Sequence, residues 1–185
     1  MYAADLDACV LVPNALCDTL LRFAERGFFR PLWSEHILDE TAYAIKRIHP
    51  DIPDDRIRKR IDMMKDVFDD ALVENWQEVS AGLDLPDDDD RHVLGAAIAG
   101  SAQSIITFNL KDFPAQRLET HGVEARHPDE FLLDQLDLHP GLALQTLQSQ
   151  AADLVNPPID IFGLLNRLER CGVPAFVDEV RLMLQ

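Results

Sequence analysis

Leu85–Phe113 reads LPDDDDRHVLGAAIAGSAQSIITFNLKDF, and the order of elements within it decides the fold. Asp87 to Asp90 stand directly before a run in which His92, Val93, Ala96, Ala97 and Gly100 recur at three- and four-residue spacing. That is the period of a helix with one face on a core. Gly100 and Ser101 end it, and Ser104–Phe108 follows, rich in β-branched and aromatic residues and uncharged on both faces, as a buried parallel strand is. Asn109, Lys111 and Asp112 come at once after that strand. A polar loop at the carboxyl end of a buried strand is where open α/β sheets hold ligands. The stretch therefore predicts helix, strand and ligand loop in succession, with carboxylates from a helix start and a strand end at one sheet edge.

Each of these residues has a plainer role when taken singly. An aspartate before a helix caps it, an acidic run is solvated surface, and Asn or Asp after a strand turns the chain. The case for chemistry comes from their combination with two acids upstream. Ala3–Asp7 reads as a first strand with Asp7 at its carboxyl end, between apolar neighbours. A carboxylate there is costly to bury unless it is paired or holds a metal. Ser34 starts a helix in which Ile37, Leu38, Thr41, Ala44, Ile45 and Ile48 keep the helical period, and Glu40 lies on or beside that inward face.

Around these landmarks strands and helices alternate. Asn14 is expected to cap a helix with the stripe Leu16, Leu20, Phe23 and Ala24, stopped by Gly27. Phe28–Trp33 reads as a second strand interrupted by Pro31, and Ala71–Val73 as a weak third. Between them Asp54 or Asp55 caps a helix whose apolar stripe is Ile57, Ile61, Met64 and Phe68. Gly122–Ala125 is a candidate edge strand, with a helix behind Pro128. Such alternation implies α/β architecture with a parallel sheet covered on both faces. The tail differs: helical patterns over Leu142–Leu154, then Phe162, Leu165 and Leu168, then Pro174 to Leu184, make a C-terminal helical extension. The expected division is 1–135 for the α/β domain and 136–185 for the extension.

With 185 residues, 47% hydrophobic and 27% charged, the composition is that of a globular chain able to bury a sizeable core. No apolar run approaches a membrane span, and Met1 leads into polar residues rather than a signal peptide. Cys9, Cys17 and Cys171 form no CxxC pair and read as reduced, buried thiols of a cytoplasmic protein. A net charge of −16 argues against broad phosphate neutralisation as a way of binding nucleic acid. The exception is a basic cluster of Lys46, Arg47, Arg56, Arg58, Lys59 and Arg60, which is either the solvated face of two helices or, through Lys46, Arg47, Arg58 and Lys59, a phosphate-binding rim.

Asp7, Glu40, Asp90 and Asp112 come from separated segments and can converge only around something positive, because like charges a few ångströms apart resist joint ionisation. With oxygen ligands and no HxxxH or HExxH among six histidines, the hard cations Mg²⁺ or Mn²⁺ are favoured, and His92 is expected to be an exposed helix residue. Such a site aligns a phosphodiester for hydrolysis.

The chain resembles the PIN-domain nucleases, most closely the VapC-like toxin branch. The matching segments are LDACVL around Asp7, WSEHILDE ending at Glu40, DDRHVLGAA at Asp90, and TFNLKDFP with Thr107, Asn109 and Asp112. The resemblance covers roughly residues 1 to 135. It implies an α/β/α sandwich, cleavage of RNA dependent on Mg²⁺ or Mn²⁺, a homodimer, and inhibition by a cognate antitoxin. The four acids would be catalytic metal ligands, supported by Thr107 and Asn109. Asp90 is preferred within its run because it alone immediately precedes the RHVLGAA helix. Two alternatives stand beside this reading. Asp5-Leu6-Asp7-Ala8-Cys9-Val10 is similar to the DxDx[TV] motif of haloacid-dehalogenase-like phosphatases, with Asp5 as nucleophile and Asp7 as acid/base. A PIN-like protein that grips RNA or a partner without cutting it is the other.

Overall fold

A computed structural model describes residues 1–185. In chain order the elements are β1 (Ala3–Leu6), α1 (Ala8–Leu11), α2 (Asn14–Glu25), β2 (Arg30–Leu32), α3 (Glu35–Ile48), α4 (Asp54–Val67), α5 (Trp76–Ser80), α6 (Arg91–Ala99), β3 (Ser104–Ile106), α7 (Ala115–Leu118), β4 (Glu124–Arg126), α8 (Pro128–Leu138), α9 (Pro140–Asp153), α10 (Ile161–Arg170) and α11 (Pro174–Met183). The chain divides into two compact units that do not follow chain order. One is Met1–Val12 with Phe29–Arg126, and the other is Pro13–Phe28 with His127–Gln185.

The first unit holds a four-stranded sheet, flanked by helices, in the order β2-β1-β3-β4 with every pairing parallel. Every residue of β1 and β3 is buried, as the uncharged run Ser104–Phe108 predicts for a central strand. Pro31 is tolerated because β2 is an edge strand paired only with β1, where a missing N–H breaks no ladder on the far side. From β1 the chain steps to β2 on one side, and later to β3 on the other. The strand order therefore reverses between β1 and β3, and the crevice at their carboxyl ends is a topological switch point.

The helices of this unit form where the apolar period places them. Ser34 caps α3 by accepting from the Ile37 amide at 3.2 Å. Ile57, Ile61, Met64 and Phe68 are all buried, as the α4 stripe requires. Two expectations are corrected in this unit. Pro53 rather than Asp54 or Asp55 precedes α4 as its cap residue, so those acids lie in the first turn, where the helix dipole favours them. Ala71–Val73 is not a strand: it contributes one isolated parallel bridge, Trp33 to Leu72. Two short helices, α1 and α5, carry too few residues to show a period. α5 lies against α6 at Gly95, where an added Cβ would stand 2.0 Å from Ser80 Oγ and 3.0 Å from the Trp76 carbonyl oxygen.

The second unit is helical. In α2, Leu16, Leu20 and Phe23 are fully buried, though Asn14 is the first helical residue and Pro13 the cap. Thr19 donates to Gln150 at 2.8 Å in the interior, and Arg22 joins Asp18 at 3.0 Å and Asp153 at 2.7 Å. Phe23 stacks on Phe28 with ring centres 4.6 Å apart and meets Phe176 edge-on at 6.2 Å. In α10 the buried set is Leu164, Leu165 and Leu168, whereas Phe162, expected in the stripe, is 52% exposed. Cys17 is buried, while Cys9 and Cys171 are only partly so, and no disulfide joins them. No helix is long and apolar enough to cross a membrane.

Candidate metal centre

Asp7 is the first residue beyond β1, and its amide continues the ladder by donating to the Ile106 carbonyl at 3.2 Å. Asp7 is 7% exposed, and its carboxylate is held by Thr107, the residue after β3, and by Cys9 of α1. The Thr107 hydroxyl donates to Asp7 Oδ2 at 2.6 Å, and Thr107 Oγ1 in turn accepts from the Asn109 amide at 3.0 Å. Cys9 Sγ donates to the same carboxylate oxygen at 3.1 Å, while accepting from the Phe108 amide at 3.3 Å. Burial, followed by the charge of Asp7, pushes the Cys9 thiol up to about 12, so it serves as a neutral donor and not as a nucleophile.

Asp7, Glu40, Asp90 and Asn109 line one open cavity of about 520 Å³. The structure thus brings together residues from the ends of β1 and β3, the middle of α3 and the start of α6. Asp39 also lines it, and Arg47 is its single basic residue. Burial raises the Asp90 carboxyl to about 6, reinforced by the charges of Asp7, Asp112 and Asp87 and opposed by His92. Asp112 therefore stands close enough to act on Asp90, although it lies in the turn Leu110–Asp112 and outside the cavity lining.

Within the acidic run only Asp90 faces this cavity. Asp87 caps the turn by accepting from the Asp89 amide at 3.0 Å, Asp88 pairs with Arg91, and all three preceding aspartates are exposed. Asp5 is fully buried in the middle of β1, and neither carboxylate oxygen has a hydrogen-bond partner. Desolvation, with Asp7 nearby, holds its carboxyl well above the usual range. An acid sealed in the middle of the sheet and absent from the cavity lining cannot present itself as a phosphoryl acceptor.

The structure corrects the expectation for His92, which is 7% exposed. Its Nε2 lies 3.2 Å from Glu40 Oε2, and His36 Nε2 lies 3.8 Å from Glu40 Oε1. The helical period of α6 puts His92 on the inward face with Val93, Ala96 and Ala97. His36 was missed altogether, although its four-residue offset from Glu40 puts both on one face of α3. Tyr43 and Arg47 continue the same face onto the cavity, again at helical spacing.

The basic cluster does not gather at the cavity. Arg47 lines it, but Lys46 and Arg58 line a separate cavity of about 350 Å³ between α3 and α4. Lys46 is engaged there with the Ile52 carbonyl at 3.0 Å and Asp54 at 2.8 Å. Lys59 is exposed on α4 and lines neither cavity.

Residues 6–111, more than half of the chain, match the family model described as PIN domain. The chain belongs to the PIN-domain family. Residues 128–182 match a second model, described as the VapC50 C-terminal domain, which accounts for the helical region beyond β4. A curated relative from Mycobacterium tuberculosis, named "Putative ribonuclease VapC50", is 40% identical over 92 residues, covering 50% of this chain and 54% of the relative. The chain thus spans about half the length of the curated relative it matches. No solved structure matches it. In this PIN domain the switch-point crevice and the carboxylate cavity coincide.

Proposed function

We propose that this protein is a metal-dependent endoribonuclease that cleaves RNA phosphodiesters, the toxin of a toxin–antitoxin pair, acting as a homodimer restrained by a cognate antitoxin. The observation that carries the reading is the cavity itself. Asp7, Asp39, Glu40 and Asp90 line it against a single cation, Arg47, and Asp90 is forced up to about 6 by burial and its acidic neighbours. Oxygen donors crowded in this way fit a hard divalent cation, which removes their mutual repulsion. Asp7, Glu40, Asp90 and Asp112 would hold Mg²⁺ or Mn²⁺, as PIN nucleases generally do. A bound ion of this kind supplies Lewis acidity toward the phosphoryl group.

The remaining roles belong to the chain's own groups. Thr107 and Cys9 fix the rotamer of Asp7 by donating to Oδ2. Asn109, exposed on the cavity wall, offers an amide to a ligand carboxylate or to the scissile phosphate. Arg47 supplies the positive charge a phosphate needs at the rim, and the Tyr43 ring, 71% exposed, gives an unpaired base a face to stack on.

The test is cleavage of total cellular RNA by the purified chain with Mg²⁺ or Mn²⁺, beside Asp7→Asn and Asp90→Asn. The reading expects metal-dependent fragments from the wild type and a loss of several orders of magnitude in both variants with the fold intact. Full activity in excess EDTA, or wild-type cleavage by either variant, overturns it, and a folded chain that binds RNA without cutting is the non-catalytic outcome.

A further inference from the structure

Beside the carboxylate cavity, α3 and α6 bring two imidazoles and a carboxylate to one point. The potential ligand atoms of His36, Glu40 and His92 all lie within 4.8 Å of one another. We propose that these three residues form a second cation site, for a borderline-soft divalent ion of the zinc type, which shares Glu40 with the carboxylate cluster.

The geometry is close to what such an ion needs. With Zn–N and Zn–O bonds of about 2.0–2.2 Å, two ligands in a tetrahedral shell stand roughly 3.3 Å apart. Glu40 Oε2 and His92 Nε2 are already 3.2 Å apart, and Glu40 Oε1 and His36 Nε2 are 3.8 Å apart. The backbone holds the set in place, because His36 and Glu40 sit four residues apart on α3 and His92 lies in the first turn of α6. His92 is buried and its Nδ1 has no hydrogen-bond partner, so Nε2 is the ring's polar contact. The Trp76 ring covers the cluster, 5.6 Å from His36 and 5.9 Å from His92 between centres. Three protein ligands and an open side are the arrangement of a site that keeps one position for water.

Ligand chemistry separates this site from its neighbour. Two imidazoles with one carboxylate suit zinc, nickel or copper, whereas Mg²⁺ takes oxygen donors and keeps much of its water. One Glu40 carboxylate cannot serve both sites fully. Resting on the nuclease reading given above, the consequence is that zinc slows Mg²⁺-supported cleavage by withdrawing Glu40. The binding itself stands without that reading.

The experiment titrates the full chain with Zn²⁺ by calorimetry and with Co²⁺ by absorption and tryptophan emission, all in excess Mg²⁺. The proposal expects one high-affinity Zn²⁺, a Co²⁺ spectrum with nitrogen ligands, and quenching of Trp76, with the buried Trp33 as background. His36→Ala, a half-exposed position that leaves the core intact, should weaken Zn²⁺ binding by at least the roughly 10–100-fold that loss of a supporting group costs a metal site. Asp7→Asn should leave Zn²⁺ binding in place. His36→Ala should also lift the zinc inhibition, so that added Zn²⁺ no longer lowers the variant's own rate in Mg²⁺. No Zn²⁺ binding by the wild type, or binding that survives His36→Ala and is lost in Asp7→Asn, overturns the proposal. A chain that binds zinc through His36 yet cleaves no RNA would leave the site standing and sink the nuclease reading alone.

Discussion

The Thr107 hydroxyl donates to Asp7 Oδ2 across 2.6 Å, joining residues 100 positions apart at the carboxyl ends of the two central strands. That bond sets which way the Asp7 carboxylate faces, and the orientation of a ligand carboxylate is what outer groups contribute to a metal site. Thr107→Val keeps the shape and removes the donor. We expect roughly 10–100-fold lower cleavage and a matching loss of Mg²⁺ affinity. Thr107→Ser should stay near wild type. Equal rates for the valine variant and the wild type would show that the hydroxyl does not position Asp7.

A pH dependence follows from Asp90. Its folded carboxyl sits at about 6, pushed up by burial and by Asp7, Asp112 and Asp87, against about 4 in an unfolded chain. The native state holds the proton more tightly, so this group costs nothing below about pH 4, and its penalty grows as pH rises, becoming complete above about 6. Its partial exposure keeps the size modest. A cation that neutralises the cluster relieves a penalty present only at the higher pH. Melting temperatures with and without Mn²⁺ should therefore show a larger gain at pH 7.5 than at pH 5. Without metal, Asp90→Asn should melt at or above wild type at pH 7.5, and the two should converge near pH 4. An equal Mn²⁺ gain at pH 5 and 7.5 would count against a shared carboxylate site.

The second unit carries a cap supplied from a distant helix. α11 begins after Val173, whose side chain caps nothing, and Pro174 opens its first turn. Asp129, in the first turn of α8, accepts from the Ala175 amide at 3.0 Å and the Phe176 amide at 2.8 Å. Removing it strands two amides at a helix start. Asp129→Ala should cost about 2–3 kcal/mol, seen in chemical denaturation of the full chain and as lost hydrogen-exchange protection at Ala175 and Phe176. Unchanged protection at those two amides would mean that water replaces the carboxylate.

The sequence carried the four strands of the sheet and the long helices for one physical reason: each rests on a local period or a local cap, and that placed Asp7, Glu40 and Asp90 where the cavity lies. Ser104–Ile106 is legible as a buried strand because it is apolar on both faces, and α3 because Ser34 and the stripe from Ile37 to Ile45 agree. What escaped depends on partners far along the chain. Pro13–Phe28 belongs with His127–Gln185 through Thr19 to Gln150 and Arg22 to Asp153, each pair 131 residues apart, and no window of sequence records that. α5 escaped because five residues show no period, and with it the ring contact that Trp76 of that helix makes with His92. Arg47, Tyr43 and His36 were reachable from Glu40 by helical offset. Lys46, Arg58 and Lys59 share the charge of Arg47 but lie elsewhere, because composition reports a cluster without its direction.

The loop after β3 separates two roles that the sequence placed side by side. Asn109 lines the cavity, while Asp112 closes the turn Leu110–Asp112 and acts on Asp90 through its charge from outside the lining. A neutral amide cannot replace that charge, and a carboxylate outside the wall cannot grip the substrate as Asn109 can. Asp112→Asn should therefore weaken metal binding, with activity partly recovered at high Mn²⁺, because excess ion compensates for lost affinity. Asn109→Ala should leave metal affinity nearly unchanged and lower turnover instead, since its amide is spent on a ligand carboxylate or the scissile phosphate. Calorimetric metal titration of both variants, paired with cleavage rates at saturating metal, distinguishes them. If Asn109→Ala loses the metal and Asp112→Asn keeps it, the two roles are exchanged, and the metal is held from the cavity wall alone.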